Sequence, residues 1–276
     1  MLYKLKGSCI CKSKSGFLPR IRYKSETALR NYEGSIIGKC RSCGTLKTFP
    51  SKKNRMFDPQ HSSSGFYEER KQEFNTLFRP LVSRIQKYSP KGKILDVGCS
   101  SGILLSLLRK KNRNVYGIEP NKYAYRIAFK KLKNRVHKGT LKSFRTKKKG
   151  SFDCIIYNHV LEHIENIGVE FALIKKTLKK NGILVLGLPN TDNVIFLIRG
   201  KYWESLVPNE HIWHFNTKEL IRFLDKQGFK IKDISFTDDK RKDYPFIKKI
   251  YFRTLSLINR LIHTGENVLI IAEKIG

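Results

Sequence analysis

From residue 93 onward, short apolar runs alternate with stretches whose apolar positions recur three and four apart. That pattern predicts strands near 93–97, 114–118, 135–138, 152–157, 182–188, 229–236 and 267–273, and helices near 102–111, 121–132, 169–179 and 217–227. Gly182, Gly228 and Gly265 fall in the turns ahead of three of those strands. Strand and helix alternate in this way when a parallel sheet is wound, because each crossover needs a helix to return the chain. The expected class is α/β, a doubly wound sheet. Ahead of it, Phe66, Phe74, Leu77, Phe78, Leu81 and Ile85 keep helical spacing with Pro80 as a break, which predicts one or two helices. Near the end, Ile247, Ile250, Tyr251, Ile258, Leu261 and Ile262 share one helical face, with Lys248, Lys249, Arg253 and Arg260 elsewhere. Most such stripes are buried, so packing against the sheet or a partner is expected, with an anionic membrane surface as the alternative.

The most specific stretch is Lys93-Ile94-Leu95-Asp96-Val97-Gly98-Cys99-Ser100-Ser101-Gly102 followed by Asn114-Val115-Tyr116-Gly117-Ile118-Glu119. It is a strand, a turn of small residues, a helix and a second strand ending in a carboxylate. Such a unit points main-chain amides at a ligand and offers an acid to ribose hydroxyls, so it reads as a nucleoside site. A dinucleotide fingerprint needs G-x-G-x-x-G, but Ser100 replaces the second glycine and Gly102 comes one residue early. Gly98 to Gly102 also fits G-x-S-x-G, the hydrolase nucleophile elbow, with Ser100 as nucleophile. An elbow follows several strands, and here only a helical and a cysteine-bearing segment precede Ile94.

The segments Leu95 to Gly102, Gly117-Ile118-Glu119-Pro120, Phe152 to His163 and Asn181 to Leu186 together resemble the class I S-adenosylmethionine (SAM) dependent methyltransferases, over most of residues 65–275. The resemblance implies a Rossmann-like seven-stranded sheet with an antiparallel last strand. It implies that Asp96 and the turn Gly98, Cys99, Ser100 and Gly102 hold the methionine and ribose portions of SAM. Glu119 would take the ribose diol, and Pro120 and Asn121 would lie at the adenosine. Leu141 would contribute backbone contacts, since Gly139-Thr140-Leu141-Lys142-Ser143 lacks the family's acid there. Asn158 and His159 would border the cofactor, and Tyr67, in the segment that covers it, would touch it. The family usually has glycine where Ser100 stands.

With 276 residues and 40% hydrophobic content, the chain has material for one large α/β domain and a small appendage. No apolar run approaches the ~20 residues that span a bilayer, and Met1 to Lys6 lacks a signal-peptide core, so a cytoplasmic protein is expected. The net charge of +33 invites RNA or anionic lipid, but basic pairs are scattered along the whole sequence, as compositional bias produces. RNA is carried as a possible partner on that ground.

Cys9-x-Cys11 and Cys40-x-x-Cys43 form two knuckles, and four thiolates suit structural tetrahedral Zn²⁺ in a reducing compartment. Cys99, in the ligand turn, and Cys154, in a strand pattern, are not disulfide partners. Polar, turn-rich segments at 51–55 and 61–65 predict a boundary near residue 60, between a zinc-ribbon-like module with its linker (1–60) and the methyltransferase domain (61–276).

Methyl transfer from a sulfonium is an in-line displacement in which positioning and proton removal supply most of the catalysis. The candidate bases are His159 and His163 after the fourth strand, and His211 and His214 in Pro208-Asn209-Glu210-His211-Ile212-Trp213-His214-Phe215. The latter stretch follows a long loop at the same sheet edge and resembles methyltransferases of surface-glycan and small-molecule pathways. The Asn/Asp-Pro-Pro-aromatic turn of base-amine methylases is absent, as is a cysteine near Leu188-Pro189-Asn190. The expected acceptor is an oxygen or carbon of a sugar, lipid-linked or other small molecule. The alternatives are an RNA methyltransferase with a zinc module, and a SAM-binding module without turnover, against which Asp96 and Glu119 together argue.

Overall fold

A strand of five residues, Lys93–Val97, lies inside a seven-stranded sheet in the order β10-β11-β8-β7-β4-β5-β6. Its members are β4 (Lys93–Val97), β5 (Asn114–Glu119), β6 (Val136–Lys138), β7 (Phe152–Asn158), β8 (Leu178–Pro189), β10 (Phe229–Thr237) and β11 (Asn267–Lys274). The computed structural model describes residues 5, 7, 9–12, 16–23, 32–51, 68–111, 113–144, 151–239 and 244–275. Strands β6, β5, β4, β7 and β8 run parallel, while β11 pairs antiparallel with both β8 and β10. This is the expected Rossmann-like class. Ile94 joins the apolar cluster on one face and Leu95 and Val97 the cluster on the other, so the strand is buried on both sides and reads as an unbroken apolar run.

Among the described residues the α-helices are α1 (Lys71–Tyr88), α2 (Ile103–Arg109), α3 (Lys122–Leu132), α4 (Ile167–Thr177), α5 (Val194–Arg199), α6 (Thr217–Lys226) and α7 (Phe246–Leu261). Four of them start on an asparagine whose side-chain oxygen accepts an otherwise unpaired amide: Asn121 from Ala124, Asn166 from Val169, Asn193 from Phe196 and Asn216 from Glu219.

Three local expectations need correction. Pro80 does not break the leading helix. α1 runs through it, because the proline sits on the exposed face while Leu81, Val82 and Ile85 bury the other, which offsets the ~3 kcal/mol a mid-helix proline costs. The helix expected at 169–179 lies at Ile167–Thr177 and β8 begins early, since Leu178 already pairs with Phe152. Finally, the apolar stripe of 244–263 is not packed against the sheet. Ile247, Ile250, Tyr251, Ile258, Leu261 and Ile262 are all exposed, and α7 meets the protein through Phe252, Leu255 and Asn259.

A second sheet of four strands stands in the order β1-β2-β3-β9. β1 (Phe17–Arg22), β2 (Ile36–Cys40) and β3 (Leu46–Phe49) come from the N-terminal segment, and β9 (Trp213–His214) comes from the loop after β8. Leu46 pairs with His214 and Lys47 with Trp213. Around this junction Tyr23, Ile37 and Leu46 share a third apolar cluster with Trp203, Leu206, Phe252 and Leu255. The N-terminal sheet is thereby packed onto the loop that carries two of the candidate histidines.

Candidate active site

At the end of β4 the chain turns sharply through Gly98, Ser100 and Gly102, with φ of +75°, +47° and +76°. Gly98 is obligatory on space as well as on φ, since a Cβ there would stand 2.5 Å from Val160 Cγ2. The Gly98 and Cys99 amides donate to the Ile118 carbonyl at 2.8 and 3.0 Å, which ties the turn to β5. Glu119, at the tip of β5, accepts from the Ser100 amide at 2.7 Å and the Asn121 amide at 2.8 Å. Each oxygen keeps a further acceptor site. Burial raises the Glu119 carboxyl, and burial together with Glu119 pushes Asp96 up to about 8. The crevice thus holds two buried acids with no cation among the described residues paired to them, an arrangement that a cationic ligand relieves.

One strand further, His159 follows β7 with φ of +54°, its amide bound to the Gly187 carbonyl at 2.8 Å. A single 3-10 turn, Leu161–His163, then buries Glu162 to 1% exposure. His159 Nδ1 lies 3.5 Å from Glu162 Oε1, a long contact, and the two oxygens have no shorter hydrogen bond among the described residues. Burial would raise this carboxyl, but His159, His211 and His163 around it bring it down to about 2, so it is a carboxylate at neutral pH. His163 and His211 stack edge to face with ring centroids 4.8 Å apart. His163 Nδ1 donates to the Glu210 carbonyl at 2.8 Å and His211 Nδ1 to the Ser205 carbonyl at 2.9 Å, which leaves both Nε2 atoms with a lone pair in the neutral ring. The donor atoms of Glu162, His163 and His211 lie within 4.8 Å of one another, close enough to share a proton or a cation. Burial lowers His211 to about 4 and His214 to about 3, so both are neutral at pH 7.

The four N-terminal cysteines also converge, their sulfurs all within 4.8 Å of one another. Cys9 Sγ is 3.5 Å from Cys43 Sγ, and Cys11 Sγ 3.7 Å from Cys40 Sγ. A tetrahedron with Zn–S bonds of ~2.3 Å has edges of about 3.8 Å, so the set fits that ion. Two tight turns supply it, closed by the Lys12 amide on the Cys9 carbonyl and the Gly44 amide on the Cys40 carbonyl.

Residues 67–234 match the family described as methyltransferase domain, more than half of the chain. The chain belongs to that family. As a class I SAM-dependent methyltransferase it is 28% identical over 179 residues to the ubiquinone biosynthesis O-methyltransferase of Pelagibacter ubique, spanning 56% of this chain and 75% of that one. The human mitochondrial protein of the same name is 22% identical over 212 residues, 69% of this chain and 57% of its own length. In fold it is similar to a SAM-dependent methyltransferase from Archaeoglobus fulgidus, with a TM-score of 0.54 and 20% identity, over 77% of this chain and all of that one. It is also similar to a 1,6-didemethyltoxoflavin N1-methyltransferase from Burkholderia thailandensis that holds S-adenosylhomocysteine, with a TM-score of 0.52 and 12% identity, over 86% of this chain and 98% of that one.

In this methyltransferase the residues singled out from sequence fall into three places. Asp96, Gly98, Ser100, Gly102 and Glu119 converge at the turn, with Pro120 and Asn121 beside Glu119. The Asn121 side chain is engaged as the cap of α3, and the Cys99 sulfur points at Gly117 inside the core, away from the crevice, while its amide is spent on Ile118 and its carbonyl on the Gly102 amide. Leu141 is buried in the turn after β6, and Asn158 stands half-buried at the end of β7, its Oδ1 close over Gly187. Tyr67 lies outside the described residues. Ser100 is no elbow nucleophile in this family, and its left-handed φ accounts for the glycine usual there. His159, His163 and His211 gather on Glu162, while His214 sits behind His211 with centroids 6.1 Å apart. Sequence reasoning missed two residues. Glu162 was visible as the acid inside His159-x-x-Glu162-His163. Thr48, which holds His214, carried no signal, because strand pairing across 166 positions is not local.

Proposed function

We propose that this methyltransferase transfers the methyl group of SAM to an oxygen, in preference to a carbon, of a sugar, lipid-linked or other small acceptor, with His211 taking the acceptor's proton. SAM supplies an electrophilic methyl. The chain would hold it against the turn Gly98 to Gly102, Asp96 would face its cationic amino group, and Glu119, fixed by two amides, would receive its ribose diol. Leu141, Pro120 and the capped Asn121 would border the adenine.

The observation that carries the catalytic part is Glu162, a buried carboxylate that His159 approaches at 3.5 Å and that three imidazoles surround. His211 is neutral, and with its Nδ1–H bonded to Ser205 its Nε2 carries the lone pair that would accept a proton. Glu162 would then stabilise the imidazolium, with His163 and His159 tuning it. The turn carrying them adjoins the SAM crevice, since Val160 packs on Gly98. His214 is a positioning residue in this scheme. Two relatives named for ubiquinone biosynthesis O-methylation favour a small acceptor and an oxygen.

Zn²⁺ in the Cys9, Cys11, Cys40 and Cys43 set would be structural, since four thiolates close its coordination shell. Such a set persists in reducing compartments, which favours a cytoplasmic protein. No helix among the described residues is long and apolar enough to cross a membrane.

The test is incubation with methyl-labelled SAM and fractionated cell extract. Label in a lipid or small-metabolite fraction supports the proposal. Label in RNA, or none in any fraction while SAM binds, contradicts it.

A further inference from the structure

α7 presents two unlike faces. At about 100° per residue, Phe252, Leu255 and Asn259 fall on one side, and these are its buried positions. Phe246, Ile250, Leu257 and Leu261 fall within about 60° of one another on the opposite side. Among the described residues nothing covers them: Phe246 is 73% exposed, Leu261 71% and, one step round, Ile247 81%. The neighbouring α5 adds Leu197 at 70% and Ile198 at 57%. Large apolar side chains exposed together on two adjoining helices exceed the scattered single residues normal on a protein surface and mark an interaction site.

The charge beside the patch selects its occupant. Lys249, Arg253 and Arg260 line one edge of the apolar sector, and α7 contains no Asp or Glu. A second copy of the chain would bring that cationic edge against a like one, on molecules that each carry +33. A bilayer with anionic headgroups accepts both features, the apolar side chains among its acyl chains and the cations at its phosphates. We infer that α7, with the adjoining tip of α5, is a docking surface for an anionic lipid bilayer, on which the helix lies flat.

The surface is coupled to the candidate site. Asn259 Oδ1 accepts from the Val194 amide at 2.9 Å and its Nδ2 donates to Asp238 at 2.8 Å. Phe252 and Leu255 pack in the same cluster as Trp203 and Leu206, on the loop that leads to His211. A docked α7 holds that loop on its inner face, one helix away from the bilayer. The docking itself does not depend on the proposed acceptor.

The test is flotation of the full-length protein with vesicles of phosphatidylcholine, with or without one third phosphatidylglycerol. The expected result is flotation with the phosphatidylglycerol vesicles alone. The double variant Ile247→Glu, Leu261→Glu should partition on the order of ten-fold less. Both positions are exposed, so its SAM-binding heat should stay that of the wild type. A wild type that remains with the pellet overturns the inference. So does a double variant that floats as well as the wild type, which would mean charge alone. So does a dimer in sedimentation equilibrium that the double variant dissolves, which would mean a second copy. Loss of SAM heat in the wild type would instead sink the cofactor assignment and leave the docking result standing.

Discussion

Thr48 and His214, 166 positions apart in sequence, are hydrogen-bonded at 2.9 Å between Oγ1 and Nε2. The Thr48 hydroxyl spends its only proton on the His211 carbonyl at 2.7 Å, so it accepts from His214 Nε2–H and fixes that tautomer. One side chain of the cysteine-bearing sheet thus holds two histidines of the loop ahead of α6. Thr48→Val keeps the shape and removes both bonds. Steady-state kinetics should show turnover lowered about ten-fold, the effect of roughly 1.4 kcal/mol of lost positioning, with SAM affinity unchanged. Unchanged turnover would separate the small sheet from catalysis.

The same linkage predicts what metal removal does. The purified protein should hold one zinc per chain by atomic emission, and Cys40→Ser should hold less. Chelation should lower the melting temperature and turnover together, because β3 is the partner that aligns β9. Protein isolated without zinc, or chelation that leaves turnover intact, would contradict the proposed metal.

If His211 takes the proton, His211→Asn should lower turnover by about 10²- to 10⁴-fold, the usual worth of general-base catalysis. Glu162→Gln should lower it less, because the imidazole remains while its charge partner is lost. Neither should change SAM affinity in calorimetry. A His211→Asn enzyme at full rate would move the base elsewhere.

The histidines also set a pH dependence of stability. His211 and His214 fall to about 4 and about 3 through burial, below the ~6.5 of an unfolded histidine. Between those values the unfolded chain binds protons that the folded chain refuses, so the stability these groups permit is present above pH ~6.5 and lost as pH falls through about 4. Asp96, raised to about 8, acts oppositely and costs stability as pH rises from the ordinary aspartate range through that value. Urea melts at stepped pH should show His214→Gln losing less stability on acidification than the wild type. Parallel curves would contradict the burial argument.

Much of this was legible in sequence where interactions are local. Each parallel strand buried on two faces reads as an apolar run, and the Gly98 to Gly102 turn demands small residues within five positions, so β4, the turn and Glu119 could be placed together. The end of α4 was misplaced by two residues and the start of β8 by four, because Leu178 suits helix and strand alike and its pairing with Phe152 decides. The fate of the α7 stripe was not legible, since an apolar face does not say whether protein or solvent meets it. Thr48 was invisible for a similar reason, its partner being supplied by strand pairing from the far side of the chain.

The central claim is that SAM lies against this turn with its ribose diol on Glu119. Calorimetric titration of SAM into the wild type and into Glu119→Ala, with the far-ultraviolet spectrum unchanged, tests it most directly. The account predicts clear binding heat for the wild type and on the order of 100-fold weaker binding for the variant, about 2.7 kcal/mol for two hydrogen bonds to a carboxylate. Equal affinity in the two proteins would contradict it.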